Sequence, residues 1–218
     1  QIRGKVRISF GVMGGGDSRS SAVRDRLATR PANLVPARAG QPKEARIAQF
    51  VATLEGQGAT VAQANDAEDV PELIADYLRE KNLPAEVRSG TDADLGALPW
   101  DRTPSLERRS GPAEAHDGAS LSRAVAGAAE TGTLFLTSGP ENPTTLNFLP
   151  DTHIAVIKAG DIGGSYEEAW ERLRAQYGPR TLPRAVNMIS GPSRTADIEQ
   201  TIIMGAHGPR RLHVIIVA

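Results

Sequence analysis

Residues 185–218 read AVNMISGPSRTADIEQTIIMGAHGPRRLHVIIVA, and their reading decides the fold. Two apolar, β-branched runs, 185–189 and 212–217, predict buried strands. Between them lie a polar turn, a short helical segment and a second turn. Strand, turn, helix, turn, strand is a βαβ unit. Parallel neighbours need such a crossover, so the pattern predicts a parallel sheet. Thr195 is the expected N-cap of the helix, Asp197 and Glu199 fall in its first turn, and Gly205 is its expected stop. The turn 190–195 follows the carboxyl end of a strand, where open α/β folds place their sites.

The preceding chain supplies the rest of such a fold. Residues 43–54 form an amphipathic helix with Ile47, Phe50, Val51 and Leu54 on one face. A second helix spans 69–81, with Pro71 near its start and Leu73, Ile74, Tyr77 and Leu78 on one side. Strands are expected at 59–64, 85–88, 133–137 and 153–158. The Ala-rich run 121–130, with Gly127, predicts a small-residue helix able to approach a sheet closely. Ser165 and Glu168 form a capping box opening a helix to Tyr177, which Gly178 closes. Residues 89–118 are long for a connection and are expected to hide a strand or act as a lid, with Trp100 anchoring them. The loop 138–151 carries Pro140, Pro143 and Pro150 and reads as a shaped surface loop. The expected class is therefore α/β, a mostly parallel sheet flanked by helices.

Residues 1–40 read as an N-terminal extension and linker with a polar helix over 18–30, and 41–218 as a single α/β domain. The first dozen residues fit a tag remnant, an upstream extension or a strand, since the chain opens at Gln1. The stretch 11–18, GVMGGGDS, has the spacing of a phosphate loop, but Asp17 stands where the lysine belongs. A flexible glycine linker is the better reading.

Composition narrows the function. The formal net charge of -1 gives no electrostatic footprint for nucleic acid or a membrane surface. The chain has 0 Cys, so it has no disulfides and cannot hold an iron–sulfur cluster through thiolates. No apolar run has the length of a membrane span and no signal-peptide pattern stands at the start, so a cytoplasmic protein is expected.

Two places carry chemistry. The turn Ser190, Gly191, Pro192, Ser193, Arg194, Thr195 combines hydroxyls, a guanidinium and a helix start, which suits an organic anion. The plainer reading is that Ser193 and Thr195 cap the helix while Arg194 pairs with Asp197 or Glu199. The second place is Glu130, Thr131, Gly132, Thr133. A glutamate at the carboxyl end of the expected helix opposes the macrodipole, so either a binding or acid/base role holds it there or it is a solvated side chain at a frayed helix end. His207, in a tight turn before the last strand, is the other acid/base candidate, or else bonds its own loop. His213 reads as a core residue, and His116 and His153 have no partner legible in the sequence. His207 and His213 lack a third ligand, so no metal site is expected.

SGPSRTADIE at 190–199, followed by GAHGP at 205–209 and Leu212-His213-Val214, resembles the C-terminal signature of the LUD family, in its lactate utilization protein C branch. AAETGTL at 128–134 and LPDTHI at 149–154 are similar to two further signatures of that family. The resemblance implies a sheet of the type shared by ribose-5-phosphate isomerase, glucosamine-6-phosphate deaminase and CoA transferases. It implies an accessory, non-redox part in oxidising L-lactate to pyruvate, alongside iron–sulfur partner proteins that carry the clusters. The expected ligand residues are Thr131, Gly132, Thr133, Ser190, Gly191, Ser193, Arg194, Thr195 and Asp197, with Glu130 and His207 as catalytic candidates and a small organic anion as ligand. The competing expectation is a stand-alone enzyme of the same superfamily, acting on a phosphorylated or CoA-linked small molecule.

Overall fold

The structure is a computed structural model that describes residues 16–29, 34–178, 181–195, 203–205 and 207–218. Contacts divide the chain into two compact units, Gln1–Val35 and Pro36–Ala218. In the first, helix α1 spans Gly16–Thr29, and its side chains from Arg19 onward are exposed, as a polar sequence requires. The stretch 11–15 of the glycine segment lies outside the described residues.

The second unit is built on two main sheets and a two-stranded ribbon. The larger has six strands, all parallel, in the order β1-β12-β7-β4-β2-β3. In chain order these are β1 (Thr60–Ala64), β2 (Glu86–Ser89), β3 (Glu107–Ser110), β4 (Ala119–Arg123), β7 (Thr152–Lys158) and β12 (Arg211–Val217). β7 and β12 lie at its centre and are paired along their whole length, from Arg211↔Thr152 to Val217↔Lys158. Their sequences, THIAVIK and RLHVIIV, are nearly continuous apolar runs because both faces are covered. One face presents Ile154, Val156, Ile215 and Val217 to Val70, Ile74, Tyr77 and Leu78 of helix α3 (Val70–Glu80). The other presents Ala155, Ile157, Leu212, Val214 and Ile216 to Phe50 and Leu54 of helix α2 (Lys43–Gly56). Each of these large side chains is worth roughly 1.5–3 kcal/mol when fully buried. The long stretch 89–118 does hide a strand: β3 forms the far edge of this sheet. A single-turn helix, α4 (Ala93–Gly96), is capped by Asp92, whose Oδ1 accepts from the Leu95 N–H. Trp100 anchors the segment by donating Nε1–H to the Leu95 carbonyl at 2.9 Å.

The smaller sheet has the order β8-β5-β6-β9, from β5 (Ala126–Ala128), β6 (Thr133–Thr137), β8 (Ile162–Gly163) and β9 (Val186–Ile189). β6 pairs antiparallel with both β5 and β9. Helix α5 (Tyr166–Tyr177) covers this sheet, packing Ala169 and Leu173 on Val125, Ala126, Ala128 and Phe135. Its start is as the sequence predicts: Ser165 Oγ accepts from the Glu168 N–H, and Gly178 follows the last turn at φ 95.

Three expectations are corrected. Residues 121–130 are not a helix but strand β4, a bend and strand β5. Alanine favours a helix locally, and that preference is overridden by the neighbours in the fold. β4 pairs with β7, and a Cβ on Gly127 would meet Ile157 Cδ1 at 3.0 Å and the Phe50 ring at 3.3 Å. The small residues do permit close approach, but as a strand. Next, β9 and β12 are not two strands of one βαβ unit. β9 belongs to the small antiparallel sheet and β12 to the large parallel one. Last, Thr195 is no helix cap. Arg194–Thr195 (β10) pairs antiparallel with Ile203–Met204 (β11), and Gly205, at φ 78, follows that strand rather than a helix. Asp197 and Glu199 lie outside the described residues.

Candidate functional site

The two signature loops meet because β6 and β9 are antiparallel neighbours. Leu134 is opposite Ile189, which puts Thr133 and Ser190 side by side just past the register. Their hydroxyl oxygens are 2.7 Å apart. Thr133 Oγ1 is also 2.7 Å from Thr131 Oγ1 and 2.8 Å from the Tyr166 hydroxyl. Thr133 is buried, so its hydroxyl needs these partners. A hydroxyl has one proton and two lone pairs, so Thr133 can donate to one of the three and accept from the other two. Gly132 makes the turn possible. Its φ is 61, and a Cβ there would stand 2.9 Å from the Leu54 backbone nitrogen in α2.

Glu130 sits elsewhere in this cluster than the sequence implies. With no helix over 121–130, it is not at a helix carboxyl end. Its Oε1 accepts from the Tyr166 N–H at 3.1 Å, in the first turn of α5, and its Oε2 lies 3.6 Å from Arg38 Nε. The positive end of α5 favours a carboxylate there. The positional argument for an acid/base role falls with the helix, while Glu130 Oε2 stays buried with no hydrogen-bond partner among the described residues.

The loop after β9 is tied down at both ends. The Ser193 N–H donates to the Pro209 carbonyl at 2.8 Å, its carbonyl accepts from the Gly205 N–H at 2.9 Å, and its Oγ accepts from the His207 N–H at 3.3 Å. Gly191 is pressed against the end of α2, where a Cβ would be 2.9 Å from Gln57 Cβ. Arg194 turns the same way and donates Nη2–H to Gln57 Oε1 at 2.6 Å. His207 is exposed.

Beside this loop opens a cavity of about 240 Å³, lined by Ser190, Gly191, Ser193 and His207 on one side and by Asn147 and His153 on another. Arg194, Glu130, Thr131 and Gly132 are not among its lining residues. The cavity adjoins the starts of β7 and β12, through His153 and Leu212. It is thus at the amino-terminal edge of the parallel sheet, opposite the edge that open α/β folds usually use. At that usual edge lies a second cavity, of about 330 Å³, reached by Arg123, Lys158 and Val217. Its cations are already engaged: Lys158 with Asp94 at 2.7 Å and Arg123 with Asp92 at 2.9 Å.

Residues that sequence reasoning left aside complete the first site. His153 is fully buried, with Nε2 3.1 Å from Ser122 Oγ, and Ser122 donates to Asn147 Oδ1 at 3.2 Å. Burial pushes the His153 ring down to about 4, so it is neutral. His213, on the opposite face of the sheet, is likewise pushed to about 4 by burial. Its Nδ1 is 2.8 Å from Thr60 Oγ1, and its ring stacks on Tyr77 at 4.0 Å. A histidine inside an otherwise apolar strand was the one available signal for His153. Its partners come from β4 and the loop before β7, which no sequence spacing relates. Among the described residues no group of three or more His, Asp or Glu could hold a metal ion, and no helix is long and apolar enough to cross a membrane.

A sequence profile of the LUD domain matches residues 47–217. An uncharacterized protein of Neisseria meningitidis serogroup B is 39% identical over 99 residues, covering 45% of this chain and 42% of its own length. Lactate utilization protein C of Geobacillus sp. is 38% identical over 90 residues, covering 41% of this chain and 37% of its own length. Lactate utilization protein C of Bacillus subtilis is 31% identical over 120 residues, covering 55% of this chain and 49% of its own length. The matches thus span less than half of each of these relatives. The crystal structure of a DUF162 family protein from Deinococcus radiodurans shares the fold, with a TM-score of 0.60 and 22% identity over 82% of this chain and 99% of that one.

Proposed function

The chain belongs to the LUD domain family, and from that premise we propose that it takes part in lactate utilization as an accessory, non-redox component. In this reading, iron–sulfur partner proteins carry the electrons. This chain, which has 0 Cys, contributes a binding unit for a small organic anion. The observation that carries the reading is the meeting of the signature loops. Thr133 and Ser190 are joined at 2.7 Å, and Ser190, Gly191, Ser193 and His207 line one cavity. Its other walls include Phe148, Met188, Ile189 and Leu212, so the ligand has an apolar part as well as a polar one. Glu130 is not among the residues that line this cavity, so the competing stand-alone enzyme has His207 as its acid/base candidate there.

The test is reconstitution. The chain is co-purified with its candidate iron–sulfur partners, and L-lactate-dependent reduction of an artificial acceptor is followed with and without it. Loss of the rate on omission is the expected result. An unchanged rate, or turnover of a phosphorylated or CoA-linked substrate by this chain alone, would overturn the accessory reading.

A further inference from the structure

The carboxyl edge of the parallel sheet carries a cavity of its own, and the two cations there share one carboxylate. Arg123 ends β4, Lys158 ends β7 and Val217 ends β12. Arg123 is opposite Val156 in the ladder, and Lys158 is opposite Val217. Residues opposite one another point to the same face, and so do residues two apart on one strand. Arg123, Val156, Lys158 and Val217 therefore stand on one face, the one that α3 covers, and all four line the cavity of about 330 Å³. Its other walls are mainly apolar, including Val70, Leu95, Leu98 and Pro99. Apolar walls with a few convergent charges are the usual form of a small-molecule site, and the carboxyl edge is the usual place for one.

The two carboxylates that face these cations are held differently. Asp92 is 8% exposed. Its Oδ1 accepts from the Leu95 N–H at 3.0 Å and its Oδ2 from Arg123 Nε at 2.9 Å. It is built into the fold and fixes the Arg123 fork. Asp94 is half-exposed, and its carboxylate touches only the two cations among the described residues. Its Oδ2 is 2.7 Å from Lys158 Nζ and 3.6 Å from Arg123 Nε. The Lys158 side chain is also half-exposed, and ion pairs this open to water add little to stability. Asp94 can thus turn out to solvent at small cost, and its Oδ2 marks a seat for an anionic oxygen between the two cations. Glu68, which also lines the cavity, is paired with Arg102 at 2.6 Å. With Asp94 turned out, Arg123 and Lys158 face Asp92 alone, and one positive charge is left for a ligand to match.

We propose that this cavity is a second binding site, for a monocarboxylate with an apolar tail. The ligand carboxylate takes the seat of Asp94, and the tail lies against Val156, Val217, Val70 and Leu98. Asp94 is then an internal competitor that holds the seat when the ligand is away. A phosphate dianion carries more charge than the site matches, and a short polar acid leaves the apolar walls in water. The site is at the opposite edge of the sheet from the cavity beside Ser190, and it stands or falls independently of the function proposed for that cavity.

Calorimetric titration of the full chain with butanoate, hexanoate, L-lactate, hexan-1-ol and hexyl phosphate at neutral pH tests this. Affinity should rise about fourfold per methylene from butanoate to hexanoate. Hexanoate should bind at least about tenfold more tightly than L-lactate, the alcohol or the phosphate. Asp94→Asn should tighten hexanoate binding several-fold, and Lys158→Met should weaken it about tenfold. Both side chains are half-exposed, so neither change disturbs the core. In the native chain, hexanoate should shift the amide resonances of Asp94, Leu95 and Val217 and leave those of Ser193 and Gly208 in place. An alcohol, phosphate or lactate that binds as tightly as hexanoate overturns the ligand class. Unchanged or weaker binding to Asp94→Asn overturns the displacement of Asp94. Binding that ignores Lys158→Met, or no hexanoate binding up to roughly 10 mM, overturns the site.

Discussion

At the scale of single residues, the two strand histidines are the most consequential. His153 and His213 are both held neutral by burial, at about 4 against an ordinary 6.5. Unfolding returns each ring to water and to its ordinary value. Between about pH 4 and 6.5 the unfolded chain thus binds more protons than the folded one, and stability falls as pH is lowered through that window. Above it the stability is fully present. The ceiling is about 3 kcal/mol for each ring. Urea midpoints at about pH 7 and about pH 4.5 should therefore differ, and His213→Gln should reduce the difference. Histidine NMR titrations with all midpoints near 6.5 would contradict this. The same scale explains why Thr133 mattered more than its neighbours: its buried hydroxyl is the common partner of Thr131, Tyr166 and Ser190.

At the scale of elements, α5 shows how a local signal and a distant one combine. Ser165 and Glu168 mark its start in the sequence, and Ser165 does cap it. The Glu168 carboxylate, however, accepts from the Gly164 N–H and from Arg46 of α2. The remaining need at this helix end is met by Glu130, from the end of β5. Ser165→Ala should cost about 1 kcal/mol, and Glu130→Gln a similar amount through the lost helix-end charge. Thermal unfolding of both variants measures this. A Glu130→Gln protein of unchanged stability would return the residue to the list of reactive candidates. The run 121–130 fails as a helix for a related reason. Its alanines favour a helix, but the pairing of β4 with β7 and the close approach of Gly127 to Phe50 override that preference.

At the scale of the whole molecule, all three sheets and all three apolar clusters of the described residues lie within residues 36–218. A chain of those residues alone should unfold in one cooperative transition with a midpoint close to that of the full chain, by circular dichroism on heating. A broad or early transition would show that the first 35 residues are part of the fold. The sequence by itself determined what depends on neighbours along the chain: the amphipathic helices α2 and α3, the apolar strands β7 and β12, the cap at Ser165, and the signatures that mark the LUD domain. Only the tertiary structure decided which sheet each strand joins. β9 and β12 have similar apolar runs, yet one pairs antiparallel with β6 and the other parallel with β1 and β7. Either kind of ladder pairs a strand's backbone groups, so the partner is selected by packing across the sheet, which no local pattern records. That choice also put Thr133 against Ser190 and brought Asn147 and His153 into one cavity lining with Ser190 and His207, which are far from them in the chain.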